Sequence, residues 1–396
     1  MHHMNLPSDA PTTVQLKTER RSNHPWIFQK MVEKPANKPK PGSIVDIYDR
    51  TGSFSGRGFY NGHSRIALRV LSADPDEAVD DAFFARKIAA AVSLRRDLLK
   101  LDAVTDAYRL VHSEGDGLSG LVVDRFADML VIEFFSAGMF RQRDVIKRCL
   151  LDHFPGASVY AFAEEHVQKQ ESFDCSTPTA PAPIVIEENG VRFHAAPGSK
   201  HKTGFFADQR DNRKRLAEFC AGRRVLDLCC NSGGFAIYAK TIGGADEVVG
   251  IDLDEDILDI AEKNARLNKV RVRFVQADIF HWLRDSAGNE AKKFDVVVLD
   301  PAKMTRDREQ VIPALKKYLD MNKLALGAVK PGGVFLTCSC TGLVSEEQFL
   351  DMLRRAAFYA NRTVQVLEVA GAGADHPWLA HVPESRYLKA AFCRVE

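Results

Sequence analysis

Residues 224–234 read RVLDLCCNSGG: an apolar run carrying Asp227, two cysteines, an Asn-Ser step and a glycine pair. The run suits a buried strand, and the glycines stand where it would turn into a helix, FAIYAKTIG. Without side chains, Gly233 and Gly234 would let a ligand approach the backbone closely. The same alternation continues along the chain. Strand-like EVVGIDL, VRFVQAD, FDVVVLD and GVFLTCS are separated by helix-like DEDILDIAEKNARLN, IFHWLRD and EQVIPALKKYLDMNKLALGAV. β-branched runs alternating with helices predict a parallel sheet covered on both faces. Such sheets bind ligands beyond the carboxyl ends of their strands.

Those ends are acidic. Asp252 follows Gly234 by eighteen residues and closes the second strand, where a carboxylate can accept hydrogen bonds from a ribose diol. Asp278 closes the third, within reach of an adenine amino group, and Asp300 the fourth. The competing reading makes such acids caps of the succeeding helices. The glycine spacing here is not GxGxxG, which counts against NAD. That spacing does occur at Gly115, Gly117 and Gly120, but it leads into LVVD, RFAD and MLVIEFF, a strand-turn-strand pattern. A dinucleotide loop must open a helix, so this one is rejected.

Upstream, SIVDIYD, FSGRGFYN and IALRVLS predict a small β-barrel with Trp26, Phe28, Phe59 and Tyr60 in its core. A polar junction precedes a helix over AFFARKIAAAVSLRRDLL, and another helix is expected around 139–152. CSTPTAPAP reads as a linker or exposed loop, and Asn189-Gly190 as the tight turn of a hairpin. Residues 1–72 hold eleven Lys/Arg against five Asp/Glu, a surplus of +6 in a chain of net charge +1. This suggests a polyanion-binding end, with an ordinary solvated face as the alternative. No run approaches the ~18 apolar residues of a membrane span. Without a leader-like apolar stretch, the expectation is a cytoplasmic, reducing environment. The eight cysteines offer no zinc spacing, so no metal is expected.

Two of those cysteines, Cys338 and Cys340, end the last strand of the pattern and share one face of it. Packing would explain both, since thiols are commonly buried. Alternatively, one is a nucleophile presented at the strand's end. Cys340 lies further toward the carboxyl end and is the candidate.

The 224–340 region resembles the class I S-adenosylmethionine-dependent methyltransferases: DLCCNSGG, GIDLD, QADIF and DPAK look like their first four motifs. More narrowly, nearly the whole chain resembles the large-subunit rRNA cytosine-C5 methyltransferases that carry a PUA domain. HPWIF, RLVHSEGDGLSGLVVDRFAD, KTGFFADQRDNR, SCTG and DHPWLAHVPESRYLK carry that likeness. It implies a Rossmann-like catalytic domain over 184–396 (184–200 a hairpin lead-in), a PUA-like RNA-binding β domain over 1–73 and an α+β middle domain over 74–183. It implies S-adenosyl-L-methionine as cofactor, held by Asp227, Asn231, Gly233, Gly234, Asp252, Asp278 and Asp300. Phe206, Gln209 and Arg213 join that set, with Arg213 suited to pairing the methionine carboxylate. The helix bearing them could instead be merely amphipathic. Cys229 and Asn231 replace aromatic residues common in the family's first loop, and Ala302 replaces a second proline in its fourth motif.

The resemblance casts Cys340 as the nucleophile that adds to cytosine C6, making C5 nucleophilic toward the methyl donor. A thiol must ionise to react, and Lys303 with nearby N–H groups is a source of positive potential; Lys303 is also the candidate substrate contact. Asp300 would hold the cytosine edge. The expected partner is ribosomal RNA, in the large subunit or an assembly intermediate. No membrane partner is expected, and a homodimer is left open. Two alternatives stand: methylation of another base atom, such as guanine N7, without a thiol, and a non-catalytic ribosome-associated RNA-binding protein. A dinucleotide oxidoreductase is a distant third.

Overall fold

The computed structural model describes residues 12–20, 22–198, 204–286, 289, 293–305 and 307–396. Among the described residues, three larger sheets and a two-stranded hairpin succeed one another along the chain. The first comprises β1 (Thr12–Gln15), β2 (Trp26–Phe28), β3 (Ser43–Tyr48), β4 (Phe54–Tyr60) and β5 (Ile66–Ser72), in the order β1-β3-β4-β5-β2. Its core is Val14, Ile27, Val45, Ile47, Tyr60 and Leu68.

Of the four aromatics expected there, only Tyr60 belongs to that core. Phe28 is 40% exposed, and Phe59 packs beneath the second sheet, stacked 6.4 Å from Phe84. The Trp26 indole N–H donates to Glu114 Oε1 at 2.8 Å. Trp26 and Phe59 thus serve a junction. Buried Glu171 completes it, accepting from Asn61 (3.0 Å), Ser64 (2.6 Å), Arg69 (3.2 Å) and the Ala137 N–H (3.3 Å).

The second unit begins with α1 (Asp81–Ser93), started by Asp80, whose side chain accepts from the Phe83 N–H. It continues through β6 (Ala107–His112), β7 (Leu121–Phe126), β8 (Met129–Phe134), α2 (Ala137–Arg141), α3 (Arg143–His153), β9 (Ser158–Phe162) and α4 (Glu165–Glu171), with sheet order β6-β7-β8-β9. The rejected GxGxxG indeed leads into a hairpin, β7 to β8. Its first glycine has a packing role: a Cβ on Gly115 would lie 2.0 Å from the Pro377 carbonyl oxygen. Only glycine lets the middle unit dock this closely on the DHPW segment of the third. The hairpin β10 (Ile184–Glu188) to β11 (Val191–Ala195) comes next, turning at Asn189 (φ 50°) and Gly190 (φ 80°).

The third sheet holds β12 (Arg224–Leu228), β13 (Glu247–Asp252), β14 (Arg273–Gln276), β15 (Phe294–Leu299), β16 (Val329–Ser339), β17 (Val364–Ala370) and β18 (Lys389–Val395). Their order is β14-β13-β12-β15-β16-β18-β17. The first five in that order run parallel, as expected. β18 and β17 are antiparallel additions that the strand-helix alternation does not anticipate. On one face lie α8 (Ile279–Ser286), α9 (Val311–Gly327) and α10 (Glu346–Tyr359); on the other lie α5 (Arg210–Ala217) and α6 (Gly234–Thr241). α7 (Glu255–Leu267) packs between β11, β13 and β14. Alternate residues feed the two faces: Leu226, Leu228, Val297 and Leu299 one core, Val225, Val296 and Val298 the other. Each such burial is worth about 1.5–3 kcal/mol. The strand order reverses beside β12, which opens a crevice at the carboxyl ends of β12 and β15.

Candidate active site

The loop after β12 is bent tightly. Cys229 (φ 60°) and Asn231 (φ 48°) both adopt left-handed conformations, costing non-glycine residues roughly 1–2 kcal/mol each. Asp252 at the end of β13 holds this shape, its Oδ2 accepting from the Asn231 N–H at 2.9 Å. The Asn231 side chain in turn accepts from the Ser232 N–H at 2.8 Å. Gly233 (φ 82°) is required by the turn itself. A Cβ there would meet Phe274, Ile237 and Ala261 at 3.1–3.3 Å. The bare Cα of Gly233 thus faces packed side chains. The bare Cα of Gly234 lies against the Arg213 stem, 3.2 Å from where a Cβ would sit.

Four carboxylates converge on this loop. Asp227 is buried; its Oδ2 accepts from the Ala236 N–H at 3.0 Å, and its Oδ1 has no hydrogen-bond partner. Burial pushes that carboxyl well above the usual range, and the charges of Asp300 and Asp252 push the same way. Asp252 is half-buried. Asp278 Oδ1 accepts from the Phe280 and His281 N–H groups at 2.8 and 3.2 Å and so caps α8. All four acids bear electrostatically on Cys229, whose thiol is pushed up, by burial first. A carboxylate oxygen buried without a partner is costly, and a cation placed against it removes that cost. The loop therefore suits a ligand bearing positive charge.

Arg213 departs from its expected role. Its Nε and Nη2 each donate to Glu188 at 2.8 Å, and its Nη1 donates to the Phe206 carbonyl at 3.0 Å. The guanidinium thereby forms a buried pair with the β10 hairpin. Phe206 is half-buried beside it, while Phe205 packs in the core against Phe193, ring centroids 5.3 Å apart and tilted. Gln209 is buried, donates to Asp300 Oδ2 at 2.9 Å and accepts from Asn212 at 2.6 Å. Gln209 and Asp300 are thus brought together.

Cys338 is sealed in the core on the α5–α6 face, and burial, with Asp300 adding, pushes its thiol well up. Cys340, two residues on, is half-buried at the strand's end. Its flanks are pinned. The Ser339 hydroxyl lies 3.0 Å and the Thr341 hydroxyl 2.9 Å from the Tyr318 hydroxyl, and the Met304 N–H donates to Thr341 Oγ1 at 3.1 Å. The last bond ties the DPAK loop to the cysteine turn. Exposed Lys303 lies within electrostatic reach of Lys389, beneath that turn.

Here β6 of the middle unit meets Tyr387 and His376 of the third. The Tyr387 hydroxyl donates to Asp208 at 2.6 Å, and its phenol is pushed well up by burial first and then by Asp208. The His112 ring of β6 lies 6.1 Å from Tyr387 and 5.1 Å from His376. Buried Asp375 accepts from the Arg109 N–H (3.0 Å) and from Arg210 (2.9 Å), and its carbonyl accepts from Arg95 (2.7 Å). Sequence reasoning assigned no role to Asp208, Tyr318, Tyr387 or Lys389. Lys389 had a visible signal: a charge opening KAAFCRV, an otherwise buried strand.

Among the described residues, no group of His, Cys, Asp and Glu could hold a metal ion, and no helix is long and apolar enough to cross a membrane. Residues 16–73 match the PUA-like domain family, and residues 110–375 match an S-adenosylmethionine-dependent methyltransferase family. The ribosomal RNA large subunit methyltransferase I of Aeromonas hydrophila subsp. hydrophila is 42% identical over 381 residues, covering 94% of this chain and 95% of that protein. The protein of the same name from Photobacterium profundum is 38% identical, covering 95% of this chain and 96% of its own. The crystal structure of SMU.776 complexed with SAH shares the fold, with a TM-score of 0.82 at 19% identity over 97% of this chain and 100% of that one.

Proposed function

The chain belongs to the family of ribosomal RNA large subunit methyltransferases I, and on that premise we propose that it methylates C5 of a cytosine through a covalent Cys340 adduct. The family makes it an S-adenosylmethionine-dependent enzyme acting on large-subunit rRNA. The cofactor would lie over the Cys229–Gly234 loop. Asp252 would receive the ribose, Asp278 the adenine edge, and the partnerless Asp227 Oδ1 a positive charge. When bound, it supplies a methyl group on a sulfonium.

The observation that carries the reading is the contrast between Cys338, sealed in the core, and Cys340, half-buried between Ser339 and Thr341, whose hydroxyls are pinned to Tyr318. The Cys340 thiolate would add to C6, forming an S–C6 bond as the C5–C6 π electrons move onto C5. Asp300, oriented by Gln209, would hydrogen-bond the cytosine edge and stabilise the charge delocalised through the ring. C5 would then take the methyl group as the sulfonium carbon–sulfur bond breaks, leaving a neutral thioether. Transfer of the C5 proton to a base restores the double bond as the S–C6 bond breaks, releasing the thiolate. On the N-terminal unit, Arg57 is paired with Asp46, Arg69 with Glu171 and Arg50 with Glu19, whereas Lys17, Lys34, Lys38, Lys40 and Arg65 are exposed. That face would meet RNA phosphates.

The test is methyl transfer from labelled S-adenosylmethionine to rRNA, with product nucleosides identified by mass spectrometry. Labelled 5-methylcytidine from the wild type and none from Cys340→Ser is expected. A methylated guanine formed equally by both would favour transfer to another base atom.

A further inference from the structure

Lys389 opens β18 opposite Ser339 of β16 and is 1% exposed. Its three N–H donors go to three backbone carbonyls: Thr341 (2.8 Å), Val344 (2.7 Å) and Tyr387 (2.9 Å). Two of those carbonyls lie in the turn immediately after Cys340. All three acceptors are neutral, so the hydrogen bonds are satisfied while the charge is not cancelled. The ionisable groups facing it are Cys340, Arg386, Glu346 and Lys303. Glu346 is engaged by Arg386 at 2.6 Å, which leaves Cys340 as the other group able to bear a balancing negative charge.

We propose that Lys389 is a positioning residue for Cys340: it clasps the Thr341–Val344 turn and sets an uncancelled ammonium beside the sulfur, favouring its thiolate. The proposal rests on the reading of Cys340 as the nucleophile. A lysine here is otherwise hard to explain, because an apolar residue would fill β18 without the cost of burying a charge. Burial lowers Lys389 to about 8, and the Cys340 charge opposes that shift. The coupling is reciprocal: whatever a Cys340 thiolate contributes to keeping Lys389 charged, Lys389 returns to the thiolate. A structural clasp alone would need the three donors but not the charge.

The experiment measures the rate of Cys340 alkylation by iodoacetamide from about pH 6 to about pH 9. Peptide mass spectrometry reads the wild type, Lys389→Gln and Lys389→Arg, with Cys340→Ser as blank. A thermal shift on adding S-adenosylmethionine confirms that each variant is folded. Lys389→Gln should react roughly tenfold more slowly near neutrality, with the difference closing at alkaline pH, and Lys389→Arg should stay within about threefold of the wild type. A folded Lys389→Gln that matches the wild type at every pH overturns the proposal. If Lys389→Gln does not fold, the wild type decides through the rate ratio of anionic iodoacetate to neutral iodoacetamide. Cys340 should exceed glutathione in that ratio, as a thiol beside a cation must; a ratio at or below it overturns the proposal. If instead Cys340→Ser still methylates rRNA, the nucleophile reading falls while the alkylation result stands.

Discussion

Gln209 donates its side-chain amide to Asp300 at 2.9 Å while Asn212 donates to Gln209 at 2.6 Å and to the Gly371 carbonyl at 3.0 Å. One chain of bonds thus joins the segment before α5, the end of β15 and the loop after β17. Replacing Gln209 by Leu should leave S-adenosylmethionine binding largely intact and lower kcat. The expected loss is about 1–3 kcal/mol of transition-state stabilisation, because Asp300 loses its orienting donor. Equilibrium binding and steady-state kinetics measured together check this. An equal loss in both would mean that Gln209 serves the cofactor pocket instead.

Asp227 gives a pH signature. Burial pushes its carboxyl well above the usual range, and a cationic ligand is best met by the ionised form. Affinity for S-adenosylmethionine should therefore rise with pH. In Asp227→Asn it should be weaker, by roughly tenfold at the upper end, and flat with pH. Calorimetric titration across the range decides. A wild-type affinity independent of pH would remove Asp227 from the binding site.

The Arg213–Glu188 pair is structural, with both side chains almost fully buried. Removing either partner leaves an uncompensated buried charge and should cost about 3–5 kcal/mol. The double replacement Arg213→Met with Glu188→Leu should recover much of that loss. Denaturant unfolding of the three variants checks it. A single Arg213→Met of near-native stability but poor cofactor affinity would return Arg213 to the ligand.

Asp375 makes the junction between the middle and catalytic units acid-sensitive. Burial pushes its carboxyl up, but His376 and Arg210 outweigh burial and hold it well below the usual carboxylate range. A depressed carboxylate contributes stability above its unfolded pKa of about 4, and loses it as pH falls from there toward the folded value. Asp375→Asn should be about 3–5 kcal/mol less stable at neutral pH, with the gap narrowing below about pH 4. Unfolding midpoints measured across that range test this. Parallel wild-type and variant curves would mean that the junction does not depend on the charge.

The parts legible in the sequence were those set by local pattern. β-branched runs with turn residues placed the five parallel strands. The GxGxxG at 115–120 could be dismissed because it leads into a hairpin rather than a helix. What escaped depends on distant partners. β17 is an exposed edge, so VQVLEVA carries no inward-outward alternation, and β18 is buried on both faces with a lysine at its start. Trp26 and Phe59 look like core of their own unit because the surface they cover belongs to the next. Arg213 looks like a ligand contact because its partner, Glu188, sits on a hairpin twenty-five residues earlier. Cys340 could be separated from Cys338 beforehand only by its position at the strand's end.

The central claim is that the Cys340 sulfur bonds to the pyrimidine, and trapping that bond tests it most directly. An rRNA fragment containing 5-fluorocytosine, incubated with enzyme and S-adenosylmethionine, cannot lose a proton from C5, so the adduct should accumulate. A denaturation-resistant protein–RNA complex mapping to the Cys340 peptide is predicted, present in Cys338→Ala and absent in Cys340→Ser. A complex on any other residue, or full methyl transfer by Cys340→Ser without one, would contradict the mechanism.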